Sequence, residues 1–108
     1  MKLLYKKVLD QLLKTSYLDA NIYFQDGVVI EKLFEKCIVD LPEKEDINTY
    51  KSNREQIKCM IKMLIVKDDT AYESLKQCLN TEYKHVVEKM CRMEIELQKC
   101  KFKWKRLV

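Results

Sequence analysis

This sequence predicts an all-α fold: six short helices in an antiparallel bundle, the last of them extended at the C-terminal end. Three observations predict it. Apolar residues recur every three or four positions along almost the whole chain. The 108 residues hold one glycine, Gly27, and one proline, Pro42, too few for the many turns of a β-sandwich. The stretches between periodic segments are only two to four residues long, which makes consecutive helices antiparallel or steeply crossed neighbours. A chain of this length, 47% hydrophobic, fills one domain with a core of its own.

The first helical pattern runs over residues 3–24, with Leu4, Val8, Leu9, Leu12, Leu13, Tyr17, Ala20 and Phe24 on one stripe. Thr15, Ser16, Asp19 and Asn21 compete for backbone hydrogen bonds, so a bend or break is expected within 14–21. Asp26-Gly27 opens a second helix that turns Val29, Ile30, Leu33, Phe34 and Cys37 inward. Asp40 caps a short third helix with Pro42 in its first turn, where a missing N–H costs nothing. That helix offers Ile47 and Tyr50 to the core.

Ser52-Asn53-Arg54-Glu55 reads as a reciprocal capping box opening a fourth helix, whose inner face is Ile57, Met60, Ile61 and Leu64. Asp68 or Asp69 caps a fifth, burying Tyr72, Leu75, Cys78 and Leu79. Asn80-Thr81 caps a sixth, which shows no stop signal. Its apolar residues Val86, Met90, Met93, Leu97, Cys100, Trp104 and Leu107 are spaced alternately four and three apart, a heptad seam. The first half of that seam can pack on the domain, or the seam can meet a partner helix or a second copy. The domain is expected to span 1–92, with 93–108 a basic helical extension.

Several functions are excluded by residue type. Two glycines are the least a phosphate loop needs, and only Gly27 exists. The five cysteines stand 22, 19, 13 and 9 residues apart, and His85 is the only histidine. No closely spaced pair can start a zinc site, and an odd count argues against a disulfide framework. They are expected to be reduced thiols, with no metal and no cofactor. Catalysis by a Cys–His pair would need His85 beside a thiolate; Cys78 is seven residues away, yet its Leu-x-x-Cys-Leu setting is that of a core stripe, and no orienting group is evident. No enzyme activity and no small-molecule substrate are expected. The opening MKLLYKKVLDQLLK is broken by Lys6, Lys7 and Asp10, unlike a signal peptide, and no apolar run approaches ~18 residues. The expected location is cytoplasmic.

Charge carries the functional information. Charged residues make up 35% of the chain, against ~25% in a typical globular domain. The net +4 hides a segregation by segment. Residues 1–14 sum to +3, 26–46 to −4, 51–67 to +4 and 84–108 to +5. Arg54, Lys58 and Lys62 recur every four residues and so form one basic stripe opposite the apolar face of the fourth helix. Sorting sign by helix lets the acidic side of one molecule meet the basic side of the next. Such complementarity steers encounter and fixes register. A head-to-tail contact of this kind grows into open filaments unless it is capped.

Residues 53–90, NREQIKCMIKMLIVKDDTAYESLKQCLNTEYKHVVEKM, resemble the fourth to sixth helices of the caspase recruitment domain (CARD), a six-helix member of the death-fold superfamily. Upstream, GVVIEKLFEKCIVDLPEKEDI, residues 27–47, resembles that family's second helix, turn and third helix. The likeness covers about 8–92. It implies homotypic binding between a basic surface on the first and fourth helices and an acidic surface on the second and third. Carried onto this sequence, the basic side is Lys6, Lys7, Arg54, Lys58 and Lys62. The acidic side is Glu31, Glu35, Asp40, Glu43, Glu45 and Asp46.

The length leaves no room for a protease, nucleotide-binding or kinase domain. The expectation is therefore a CARD-only regulator of apoptotic or innate-immune signalling, cellular or viral, that binds CARD-containing caspases or adaptors and acts as a decoy. Two alternatives stand beside it. The seam through Met90, Met93, Leu97 and Trp104 could drive self-association into a homo-oligomer. The tail KCKFKWKRLV could stack Phe102 and Trp104 on bases while its lysines neutralise phosphates. Neither nucleic acid nor a membrane surface is the expected partner, because the tail alone is short and polar for lipid.

Overall fold

The computed structural model describes the backbone of residues 1–24 and 27–107, and within these every side chain except those of Asp19 and 100–107. The described residues form seven helices and no strand: α1 (Leu3–Lys14), α2 (Tyr17–Asn21), α3 (Val28–Glu35), α4 (Leu41–Thr49), α5 (Asn53–Ile65), α6 (Asp69–Leu79) and α7 (Lys84–Leu107). α1 and α2 are the two pieces of the broken first helix, so the bundle is the six-helix one expected.

The break falls at Ser16, whose φ of 55° is left-handed and ends the α1 ladder. The Thr15 N–H and hydroxyl both donate to the Gln11 carbonyl, at 3.0 and 2.9 Å. Val8, Leu9 and Leu12 are buried as expected, but the break shifts the phase of the stripe. Leu18 on α2 and Ile22 just beyond it are buried and Ala20 is exposed, correcting the continuous stripe that placed Ala20 inward.

The segment that returns from α2 is tied down by a residue read only as part of a cap. The Asn53 side-chain carbonyl accepts from Phe24 N–H at 2.6 Å, and its amide donates to the Ile22 carbonyl at 2.7 Å. This two-point clamp seats Ile22 and Phe24 in the core. Gly27, at φ 79°, then turns the chain into α3 in a conformation that side chains with a Cβ rarely adopt. Asp26 lies outside the described residues.

α3 ends earlier than its apolar pattern suggests. Cys37 N–H donates to the Phe34 carbonyl and Ile38 N–H to the Leu33 carbonyl, both at 3.0 Å, the paired bonds of a Schellman ending. Cys37 occupies the left-handed position at φ 60° and is exposed, not inward. Phe34 also sits at the surface, 36% exposed, with the Lys44 ammonium 4.8 Å from its ring centre.

α4 opens on a complete capping box between Asp40 and Glu43, with Pro42 in its first turn. Ile47 reaches the core, but Tyr50, beyond the helix end, is exposed. At α5 the Ser52 hydroxyl accepts from Glu55 N–H at 3.1 Å, one half of the reciprocal pair expected there. Ile57, Met60, Ile61 and Leu64 are buried. α6 buries Tyr72, Leu75, Cys78 and Leu79. Asn80 closes α6 instead of capping the next helix, which starts at Lys84.

One core joins all seven helices. α5 packs on α1, α2, α4 and α6, and α3 on α4 and α6. α7 packs on α1 and α6. Its 24 residues make it about 36 Å long at 1.5 Å per residue, and the molecule measures 47 Å along its longest axis.

Candidate protein-interaction surface

The basic stripe forms because α5 is amphipathic. With Ile57, Met60, Ile61 and Leu64 turned inward, Arg54, Lys58 and Lys62 are all exposed on the outer side. Lys58 and Lys62 make no ion pair among the described residues. They edge an open groove between α4 and α5, lined also by Glu43, Asp46, Cys59 and Lys67. In it the Cys59 thiol donates to Asp46 at 3.8 Å. Burial, and then the charge and hydrogen bond of Asp46, push that thiol above its ordinary value against the opposing pull of Lys62.

The acidic side is less uniform than the sequence suggests. Asp40 and Glu43 are committed to the α4 cap. Glu43 also pairs with Lys67 at 3.1 Å. Glu31, on α3, pairs with Lys44 on α4. Glu35, Glu45 and Asp46 remain exposed without an ion pair among the described residues. The six acidic residues thus divide into three engaged within the molecule, in the α4 cap or in ion pairs with Lys44 and Lys67, and three that face outward. Moreover, Glu43 and Asp46 share the α4–α5 groove with Lys58 and Lys62. The two charge signs meet along that groove, so it is a boundary between faces and not a separation of opposite poles.

Lys6 and Lys7 are exposed on α1. Lys7 lines a cleft with Leu3, Leu4, Leu97 and Gln98, which turns it toward α7.

The heptad seam is mostly taken by the domain itself. Val86 and Met90 are fully buried, Met93 is 8% exposed, and Leu97 is half-buried against the core. Val86, Met90 and Met93 thus belong to the domain's own core, and α7 packs on α1 and α6. Trp104, with Cys100 and Leu107, falls outside the described side chains.

One charged cluster was missed. Between α6 and α7, the Tyr72 hydroxyl donates to Glu94 at 2.8 Å and the Lys76 ammonium donates to the same oxygen at 2.9 Å. Tyr72 also stacks on Tyr5, with ring centres 4.0 Å apart. Burial, the Glu94 hydrogen bond and the Glu94 charge all push the Tyr72 hydroxyl far above its ordinary value. For Lys76, burial opposes the charge, but the hydrogen bond and charge of Glu94 outweigh it and hold the ammonium above its usual range. Sequence spacing gives no sign of this, because the partners are 18 and 22 residues apart.

No group of three metal-ligating side chains occurs among the described residues, and none of their helices is long and apolar enough to cross a membrane. Cys78 is buried in the core, while His85 is exposed with its ring 6.5 Å from that of Tyr83.

A family model, that of the caspase recruitment domain, matches residues 25–92. The match includes α3 to α6, and with them both the α5 stripe and the acidic residues of α3 and α4. It leaves out α1 and α2, which nonetheless contribute Val8, Leu9, Leu12 and Leu18 to the same core. None of the curated proteins matches the chain.

Proposed function

The chain belongs to the caspase recruitment domain family, whose members bind one another homotypically in death-domain signalling, and from that premise we propose that it is a non-enzymatic inhibitor that caps assemblies of CARD-bearing caspases or adaptors in the cytoplasm. The observation that carries this reading is the exposed α5 stripe of Arg54, Lys58 and Lys62. It lies within the matched segment and presents three cations to an acidic partner surface. Lys6 and Lys7 of α1 add to the basic side.

The acidic side supports capping over extension. Glu31 and Glu43 are neutralised by Lys44 and Lys67 inside the molecule, and Asp40 is held by its cap. A subunit with one strong face and one weakened face joins the end of a head-to-tail array and offers little to the next subunit. It stops growth instead of extending it.

The test is filament growth of a CARD-bearing adaptor, followed by light scattering, with this protein added below stoichiometry. Slower growth and shorter filaments are expected. The double reversal Lys58→Glu, Lys62→Glu should restore growth. Absence of both binding and inhibition at low salt overturns the reading, and acceleration of growth overturns the capping role.

A further inference from the structure

α7 turns a second face to solvent, opposite the one that enters the core. Lys84, Glu88, Arg92 and Glu96 stand four residues apart there, so they form one row over about 18 Å of helix. Their charges alternate in sign. Charges spaced this way can pair along their own helix, but all four are exposed and none makes an ion pair among the described residues. Beside them runs a second row at the same spacing, with Val87 half-buried, Cys91 exposed and Ile95 52% exposed. The charged neighbours of this face are committed within the molecule. Lys89 lies over the Tyr17 ring, 5.7 Å from its centre. Lys76 pairs with Glu94 and also reaches the Cys91 sulfur at 3.8 Å.

An alternating row of four charges complements itself only when reversed. Against a parallel copy, Lys84 meets Lys84 and Glu88 meets Glu88. Against an antiparallel copy, related by a two-fold axis level with Met90, Lys84 meets Glu96 and Glu88 meets Arg92, each pair occurring twice. The apolar row is centred on Cys91, so the same axis sets its two copies out of opposition by two residues. Their side chains then alternate along the contact: Ile95 of the copy, Val87, Cys91 of the copy, Cys91, Val87 of the copy, Ile95. One axis thus makes unlike charges face each other and apolar side chains interdigitate. Rows of this spacing are inclined to the helix axis, so the paired helices cross instead of lying flush.

We infer that the outer face of α7 is a homodimer surface, which pairs antiparallel with the same face of a second copy through Lys84, Glu88, Arg92 and Glu96 and interleaves Val87, Cys91 and Ile95. A reciprocal contact of this kind closes at two subunits. It is one helix face wide, less than a standard interface of about 1,600 Å², so the dimer is weak and forms at high protein concentration. It is separate from the buried seam and from the α5 stripe. Resting on the capping reading, a dimer carries two α5 stripes and can engage two assembly ends at once.

Sedimentation of the full chain over a range of concentrations reads the association. A reversible monomer–dimer equilibrium, weakened by salt, is expected. Glu88→Arg and Arg92→Glu should each raise the dissociation constant about tenfold or more, since each sets like charges opposite one another, with the helical circular dichroism unchanged. An equimolar mixture of the two variants should dimerise again, because each reversal then meets its opposite. A short bismaleimide should join the two copies, and Cys91→Ser should abolish the joined dimer. Lys58→Glu with Lys62→Glu should leave dimerisation intact, so failure here and failure of the capping reading are distinguishable. The inference is overturned by a monomer at every concentration, by growth beyond two, by indifference to the single reversals or by a mixture that stays monomeric. Cross-linking undiminished without Cys91 overturns it too, as does loss of the dimer in the α5 variant.

Discussion

Two sets of charges on this molecule differ in one respect, whether the fold itself supplies the counter-charge. In the α6–α7 cluster, Glu94 and Lys76 are 18% and 23% exposed at the side chain and lie 2.9 Å apart, with the Tyr72 hydroxyl on the same carboxylate oxygen. On α5, Lys58 and Lys62 project into solvent beside the α4 groove with no ion pair among the described residues. The first arrangement ties two helices together. The second contributes little to the fold and is available to another molecule. Removing a charge should therefore change stability in one place and association in the other.

The largest effect should come from the aromatic at the centre of the cluster. Tyr72 is fully buried and stacked on Tyr5, so Tyr72→Ala should destabilise the fold by about 3–5 kcal/mol, read as a lower urea midpoint. Glu94→Ala should cost about 1–3 kcal/mol, because it strands a buried hydroxyl and a half-buried ammonium.

The same groups set an alkaline limit. The folded state raises the proton affinity of Tyr72, Lys76, Cys59 and Cys78, the last by burial. It therefore binds protons more tightly than the unfolded chain. The stability this contributes is complete below the ordinary values of these groups and is lost as the pH rises past them. Thermal melts should be insensitive to these groups at neutral pH and fall in midpoint above about pH 9, as thiols and then tyrosine and lysine titrate in the unfolded chain.

Lys58→Glu with Lys62→Glu should do the reverse of Glu94→Ala. Binding to a CARD partner should fall at least tenfold, about 1.4 kcal/mol, while unfolding stays within about 0.5 kcal/mol of the parent. If instead this variant melts early, the contrast between the two regions fails. The smallest effect lies away from both regions. Cys37→Gly should stabilise the protein by up to about 1 kcal/mol, since glycine adopts the left-handed ending of α3 without the strain of a Cβ.

Much of the helix order was legible because the signals are local. Asp40 and Glu43 cap α4 as their spacing implies, and the inner faces of α5 and α6 follow the 3.6-residue repeat. The errors fall where the backbone leaves that repeat. Ser16 shifts the phase so that Leu18 is buried and Ala20 is not. Cys37 leaves the α3 stripe because the helix has already ended. The interaction residues divide in the same way. An outward stripe on α5 follows from its inward one, so Arg54, Lys58 and Lys62 could be placed. Whether Glu31 or Glu43 meets a lysine 13 or 24 residues away could not.

The order of residues was enough to establish most of the helices, the Asp40 cap of α4 and the sign of charge each helix carries, because these depend on neighbours within a turn or two. The packing of distant helices alone settled that Met90 and Met93 are buried in the domain's own core and that Asn53 clamps the return from α2. A periodic pattern says that a face must be covered. What covers it is a contact between residues far apart in the chain, and their spacing carries no record of it.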